Sequence, residues 1–262
     1  VRALQETAVT PLAIELVPCL SDNYAYLVHD ADAGLTAVVD PSEAPPVMKA
    51  LSAKGWKLTH ILNTHHHFDH TGGNADLKKE FGAEVVGPGK DAARFTGLDT
   101  GVDETTGWRF GARDMRVMEI PAHTSSHIAF VVDDIAFTGD TLFAMGCGRL
   151  FEGTPAMMWS SLSKLMTLPD ATRIFCGHEY TQSNGRFALT LEPGNAALVA
   201  RMKDVGAARA KGAPTIPSTM GLEKKTNPFL RPDSPELRKT LGMESASDVE
   251  VFAETRRRKD NF

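Results

Sequence analysis

The sequence predicts an α/β chain in two parts, an α/β domain over residues 1–177 and a smaller α-helical domain over 178–262. Three observations carry this. Short runs rich in β-branched and aromatic residues alternate with turns and helical stretches through the first two-thirds. The texture becomes mostly helical after about residue 178. The residues able to carry chemistry gather at the ends of the predicted strands, where loops build sites.

The elements follow in order. PLAIELV (Pro11–Val17), YAYLVHD (Tyr24–Asp30) and LTAVVD (Leu35–Asp40) read as strands. LTHILNT (Leu58–Thr64), MRVMEI (Met115–Ile120) and HIAFVVDDIAFTG (His127–Gly139) continue the pattern, the last with a hairpin at Asp133-Asp134. Helices are expected over Ala44–Ala53, over Gly73–Phe81 with a stop at Gly82, and over Ala156–Leu168 before Pro169. Apolar positions at helical spacing mark Asn195–Ala210. A Pro-rich loop (APTIPS, then NPFLRPDSP) leads to helices near Pro235–Leu241 and Ser247–Lys259. There is no internal repeat and no low-complexity segment.

With 262 residues, 42% of them hydrophobic, the chain can bury a sizeable core. A net charge of −5 makes nucleic acid a poor partner. The three cysteines, Cys19, Cys147 and Cys176, show no C-x-x-C spacing, so neither a disulfide framework nor a thiolate zinc site is expected. Residues VRALQETAVT hold no apolar run of signal-peptide length, and no stretch approaches a membrane span. A cytoplasmic monomer without membrane contact is expected.

The segment Thr64-His65-His66-His67-Phe68-Asp69-His70 follows a predicted strand and precedes a helix. His65 and His67, two apart on an extended turn, point the same way and can grip one ion. Asp69 and His70 follow the bend and can face a second. A lone histidine is ordinarily a packing residue. Here Pro121-Ala122-His123-Thr124, Thr138-Gly139-Asp140-Thr141 and Cys176-Gly177-His178-Glu179 each also end a predicted strand. Imidazole and carboxylate without thiolate favour zinc, iron(II) or manganese. Five histidines and two aspartates exceed one four-coordinate ion and match two ions sharing a carboxylate and a hydroxide. His66 is expected to point away, and His29 and His60 to be packing residues. His127 is a candidate for orienting a ligand. Cys147 and Cys176 are expected to be small buried residues.

This pattern resembles the metallo-β-lactamase superfamily. Within it, THHHFDHTGGN, FTGDTLFAMGCGRLFEGT, FCGHEYTQSN, NPFLR and the terminal RRRKDNF resemble the hydroxyacylglutathione hydrolase (glyoxalase II) family over nearly the whole length. The resemblance implies an αββα sandwich as the catalytic domain and a glutathione-binding role for the helical domain. It implies a first divalent ion on His65, His67 and His123, a second on Asp69, His70 and His178, and Asp140 bridging them. It places glutathione contacts on Arg149, Phe151, Tyr180, Arg256 and Lys259. The sequence departs from the family at two points: Phe151 stands where relatives have a tyrosine, and Ser126 where a glycine is common. Independently, glutathione carries two carboxylates, and Arg256 and Lys259, three apart on a basic helix, share a face.

The activity implied is hydrolysis of an S-(2-hydroxyacyl)glutathione, S-D-lactoylglutathione foremost, by a metal-bridging hydroxide that Asp69 helps to orient. A thiol of pKa near 8.5 leaves without strong acid assistance. The principal rival is a glutathione persulfide dioxygenase with a single iron, which the helical C-terminal part opposes. A nucleic-acid-processing member conflicts with the acidic charge, and a non-catalytic scaffold with the complete ligand set.

Overall fold

The computed structural model describes residues 10–262. The expectation about a leader segment falls on residues 1–9 and so lies largely outside the described part. Among the described residues no helix is long and apolar enough to cross a membrane.

Two six-stranded sheets and a small ribbon form the β-structure. The first sheet runs in sequence order: β1 (Ala13–Cys19), β2 (Asn23–Asp30), β3 (Leu35–Val39), β4 (His60–Leu62), β5 (Glu84–Pro88) and β6 (Thr100–Val102). The second contains β7 (Trp108–Phe110), β8 (Arg113–Glu119), β9 (Ile128–Val132) and β10 (Ile135–Gly139). A ribbon of β11 (Leu142–Phe143) and β12 (Gly146–Cys147) follows, then β13 (Arg173–Cys176) and β14 (Ser218–Thr219). The second sheet is ordered β14-β13-β10-β9-β8-β7.

Strand alternation builds the layers. In β2, Tyr24, Tyr26 and Val28 face the core between the sheets, where Phe110, Phe130, Phe137 and Phe175 meet them. Ala25 and Leu27 face outward, onto α1 (Ala44–Lys54), α2 (Phe68–Thr71) and α3 (Asn74–Phe81) as a helical layer, with Val47, Leu51 and Leu77 in the same cluster. In β9, Phe130 points inward while Ala129 and Val131 point to the opposite helical layer. That layer holds α4 (Pro155–Leu165), α5 (Thr181–Leu191), α6 (Ala196–Ala210), α7 (Met220–Thr226), α8 (Pro235–Leu241) and α9 (Asp248–Asp260). The result is the expected αββα sandwich with a helical C-terminal part.

Several expectations need correction. Strand β4 is confined to His60–Leu62, because Asn63 and Thr64 already turn toward the site. Helix α4 ends at Leu165, and Met166–Leu168 close in turns. Strands β5, β6 and β7 and helices α5 and α7 had no prediction. The C-terminal part is not purely helical: β14 pairs antiparallel with β13 and so extends the second sheet. Gly82 closes its helix as expected, and two further helices carry caps of their own. Gly82 caps α3 in the left-handed conformation, Asn195 caps α6, and Ser247 with Glu250 forms a capping box on α9.

Candidate active site

The seven predicted metal ligands come together at one edge of the sandwich. His65 and His67 lie on the loop after β4, and Asp69 and His70 on α2. His123 follows β8, Asp140 follows β10 and His178 follows β13. His65 Nε2 and His123 Nε2 each lie 3.1 Å from His67 Nδ1. His70 Nε2 and His178 Nε2 are 3.3 Å apart, with Asp69 Oδ2 at 3.5 Å and 3.4 Å from them. Asp140 Oδ2 stands between the two groups, 3.5 Å from His123 Nε2, 3.3 Å from His70 Nε2 and 3.2 Å from His178 Nε2.

The other ring nitrogens are already committed. His70 Nδ1 meets Asp40 Oδ2 at 3.2 Å, and His178 Nδ1 meets Asp22 Oδ1 at 2.8 Å. His123 Nδ1 donates to the Arg149 carbonyl at 2.9 Å. Thr64 gives its hydroxyl proton to Asp40, so its oxygen accepts from His65 Nδ1 at 3.0 Å. In these four rings Nδ1 is thus spent, and their Nε2 atoms, together with His67 Nδ1, converge on one another, which is repulsive without a cation. Two nitrogens about 2.0–2.1 Å from one tetrahedral ion would be about 3.3 Å apart. The spacing fits a divalent metal ion. Asp140 Oδ1, buried and without a partner, adds a free donor.

Electrostatics agree. Burial, reinforced by neighbouring imidazoles, holds His65 well below the usual histidine range and His67 down at about 4. Burial lowers His123 as well. These three stay neutral, as ligation requires. Around the second group burial opposes protonation, but the surrounding carboxylates together outweigh it, Asp140 with Asp69 raising His178 to about 10 and Asp140 with Asp40 raising His70 well above its ordinary value. That corner attracts positive charge.

Sequence reasoning missed the residues holding the ligands. Asp40 accepts from the Thr64 amide at 2.8 Å besides facing His70, and Asn23 Nδ2 donates to Asp69 Oδ2 at 3.1 Å. Asp40 ends a predicted strand as Asp140 does, and that signal was available. Asp22, 156 residues from His178, left none. His127 does act on a ligand: its Nε2 accepts the Asp140 amide at 3.1 Å. His66 turns away to Asp91, at 2.8 Å. His29 stacks on Trp56 with ring centres 4.5 Å apart, and His60 packs edge-on to Trp108 at 5.3 Å. Cys147 and Cys176 are buried, their thiols pushed up to about 11 and about 12 by burial.

Five of the candidate donors, His67, Asp69, His123, Asp140 and His178, floor a cleft of about 490 Å³ that reaches the C-terminal part and is lined by Phe143, Arg149, Phe151, Tyr180, Arg256 and Lys259 among others. All five predicted substrate contacts therefore line it. Phe151 lies over the floor, its ring centre 5.2 Å from His123 and 5.8 Å from His67. Tyr180 stacks on His178 at 4.7 Å. Lys259 is lowered by burial and by Arg256, Arg186 and Arg149 around it. Among the described residues Arg149, Arg186 and Lys259 have no carboxylate partner. Arg256 is less free than the helical pattern suggests, since it donates to the Cys147 carbonyl at 2.8 Å and pairs with Asp260 at 2.8 Å.

Residues 21–178 match the metallo-β-lactamase superfamily, so the class is that of a metallo-β-lactamase-fold protein. Residues 179–262 match the family described as hydroxyacylglutathione hydrolase C-terminus. Hydroxyacylglutathione hydrolases of Cereibacter sphaeroides and Methylococcus capsulatus are 57% and 54% identical to the chain. Each alignment covers 96% of this chain, and 100% and 99% of those proteins. The chain belongs to the hydroxyacylglutathione hydrolase family of thiolester hydrolases. Among solved structures, TTHA1623 in a di-iron-bound form superposes with a TM-score of 0.58 at 25% identity, over 83% of this chain and 100% of that one.

Proposed function

We propose that this protein hydrolyses S-(2-hydroxyacyl)glutathione, with S-D-lactoylglutathione the expected substrate, using two divalent ions. The observation that carries the reading is the pairing of a metal-donor floor with a cationic wall in one cleft. One ion would sit on His65, His67 and His123, the other on Asp69, His70 and His178, with Asp140 shared. Zinc suits the thiolate-free donor set best, with iron and manganese as alternatives. When bound, such ions polarise a carbonyl oxygen and supply hydroxide near neutral pH.

The chain's own residues do the rest. Lys259, Arg149 and Arg256 face the carboxylates of the peptide, and Tyr180 offers a hydroxyl at the rim. Phe143 and Phe151 flank the acyl and sulfur atoms and limit water. The glutathione thiolate leaves without a protonating acid, given a thiol pKa near 8.5. Residues up to 177 provide the floor apart from His178, and the wall is shared between the two domains, with Arg149 and Phe151 from the first and Tyr180, Arg256 and Lys259 from the second.

Lys259→Ala should raise KM for a glutathione thioester about ten- to a hundredfold and leave kcat nearly unchanged, the mark of lost binding remote from the reacting carbon. Arg256→Ala should do the same and also destabilise the fold, because that side chain is 6% exposed and holds the Cys147 carbonyl. Steady-state kinetics decide it. An unchanged KM in Lys259→Ala would remove glutathione from this wall.

A further inference from the structure

His66 is the one histidine of the His65-His66-His67 run that the metal assignment leaves unused. Its ring belongs to a charged network built around Arg94, at the end of the short 3-10 helix Gly89–Arg94. Arg94 donates through Nε to Asp91 and through its terminal nitrogens to Glu152 at 2.5 Å and 3.1 Å, a two-pronged grip on one carboxylate. It also donates to Ser125 Oγ at 3.1 Å and to His66 Nε2 at 3.3 Å. His66 Nδ1–H is then left to donate to Asp91 Oδ2 at 2.8 Å. Glu152 in turn accepts the Ser125 amide at 2.7 Å.

Each segment reached by this network carries a residue of the site. His66 sits between two metal-donor histidines, Ser125 is two residues beyond His123, and Glu152 follows Phe151. Residues 149–153 have no helix or strand to hold them. An isolated surface ion pair contributes little. Here, though, Asp91 is 5% exposed, the Glu152 contact is two-pronged, and the partners lie 28, 31 and 58 residues from Arg94. The guanidinium draws the Glu152 carboxyl down to about 2, so the pair stays charged at working pH. At the end of the same segment Gly153 packs on Ala122, where an added Cβ would collide with backbone.

We propose that Arg94 is a positioning residue: through Glu152 it clamps the 149–153 segment, and with it Arg149 and Phe151, over the metal-donor floor. This rests on the glutathione reading for its ligand but not for its geometry.

The test compares the full-length metal-loaded protein with its Arg94→Gln, Arg94→Lys, Glu152→Gln and Arg94→Gln/Glu152→Gln variants. The probes are S-hexylglutathione, a thioether that cannot be hydrolysed, and amide hydrogen exchange of residues 149–153. Arg94→Gln should speed exchange in that segment and weaken S-hexylglutathione binding about three- to thirtyfold. Metal content should be retained. Glu152→Gln should do the same, and the double variant should lose clearly less than the sum of the two singles, since both break the shared Arg94–Glu152 pair. Arg94→Lys should recover part of the loss, as a lysine keeps the charge without the fork. Additive single effects, or unchanged exchange in Arg94→Gln, would overturn the clamp. If the parent protein does not bind S-hexylglutathione, the glutathione reading fails, and hydrogen exchange alone decides on the clamp.

Discussion

Asp140→Ala should lower both the metal content of the protein and its turnover, the latter by at least about a thousandfold. Asp140 Oδ2 lies within 3.5 Å of His123 on one side and of His70 and His178 on the other. Asp69 Oδ2, the other carboxylate oxygen at the floor, reaches the second group alone, at His70 and His178. On the proposed two-ion reading, losing Asp140 would remove a ligand from each ion and leave the charges of both less compensated. An ion of this kind contributes several kcal/mol to the transition state, and about 4 kcal/mol corresponds to a thousandfold in rate. The backbone is shaped for this role: Gly139 has φ +48°, and the Asp140 amide is anchored on His127. Elemental analysis after dialysis, with kcat/KM on a glutathione thioester, checks the outcome. A variant with full metal content and normal turnover would show that Asp140 is not shared.

Glu223→Ala should destabilise the fold by about 3–5 kcal/mol, the usual cost of orphaning one member of a buried ion pair. Glu223 is fully buried and receives Arg201 at 2.5 Å, the Ser218 hydroxyl, the Met145 amide at 2.8 Å and Asn227 at 3.1 Å. Asn227 also donates to the carbonyls of Phe143, at 3.1 Å, and Gly146, at 3.0 Å. The network therefore ties the C-terminal helices to the β11–β12 ribbon that leads from Asp140 to Arg149. Thermal midpoint should fall by roughly 6–20 °C for a chain of this size. Adding Arg201→Met should recover part of the loss by removing the stranded charge. Denaturant unfolding measures both variants. An unchanged midpoint in Glu223→Ala would mean that water replaces the carboxylate at no cost.

The sandwich was legible where one residue pattern dominates. The runs around Tyr26, Val38 and Phe130 alternate or are wholly apolar because each is buried between layers. Helices α8 and α9 lie where expected, each starting from a serine N-cap, Ser234 and Ser247. Strand β5, EVVGP, was not legible, because a glycine and a proline sit in five residues; its place between β4 and β6 decides its conformation. Helix α5 carries Ser183, Asn184 and Gly185, poor helix formers, and is held by packing; Gly185 fits against Met202 where a side chain would collide. The clustering of the candidate donors was legible because they recur at strand ends. Asp22 and the Arg94 network were not, because their meaning lies in contacts across 25 to 156 residues.

The most direct test of a two-metal thioester hydrolase is a metal titration of the metal-free protein, following hydrolysis of S-D-lactoylglutathione by release of free thiol. Activity should rise with added zinc and reach its plateau at two equivalents per chain, with one thiol released for each substrate consumed. A plateau at one equivalent, or no thiol release at saturating metal, would contradict the account.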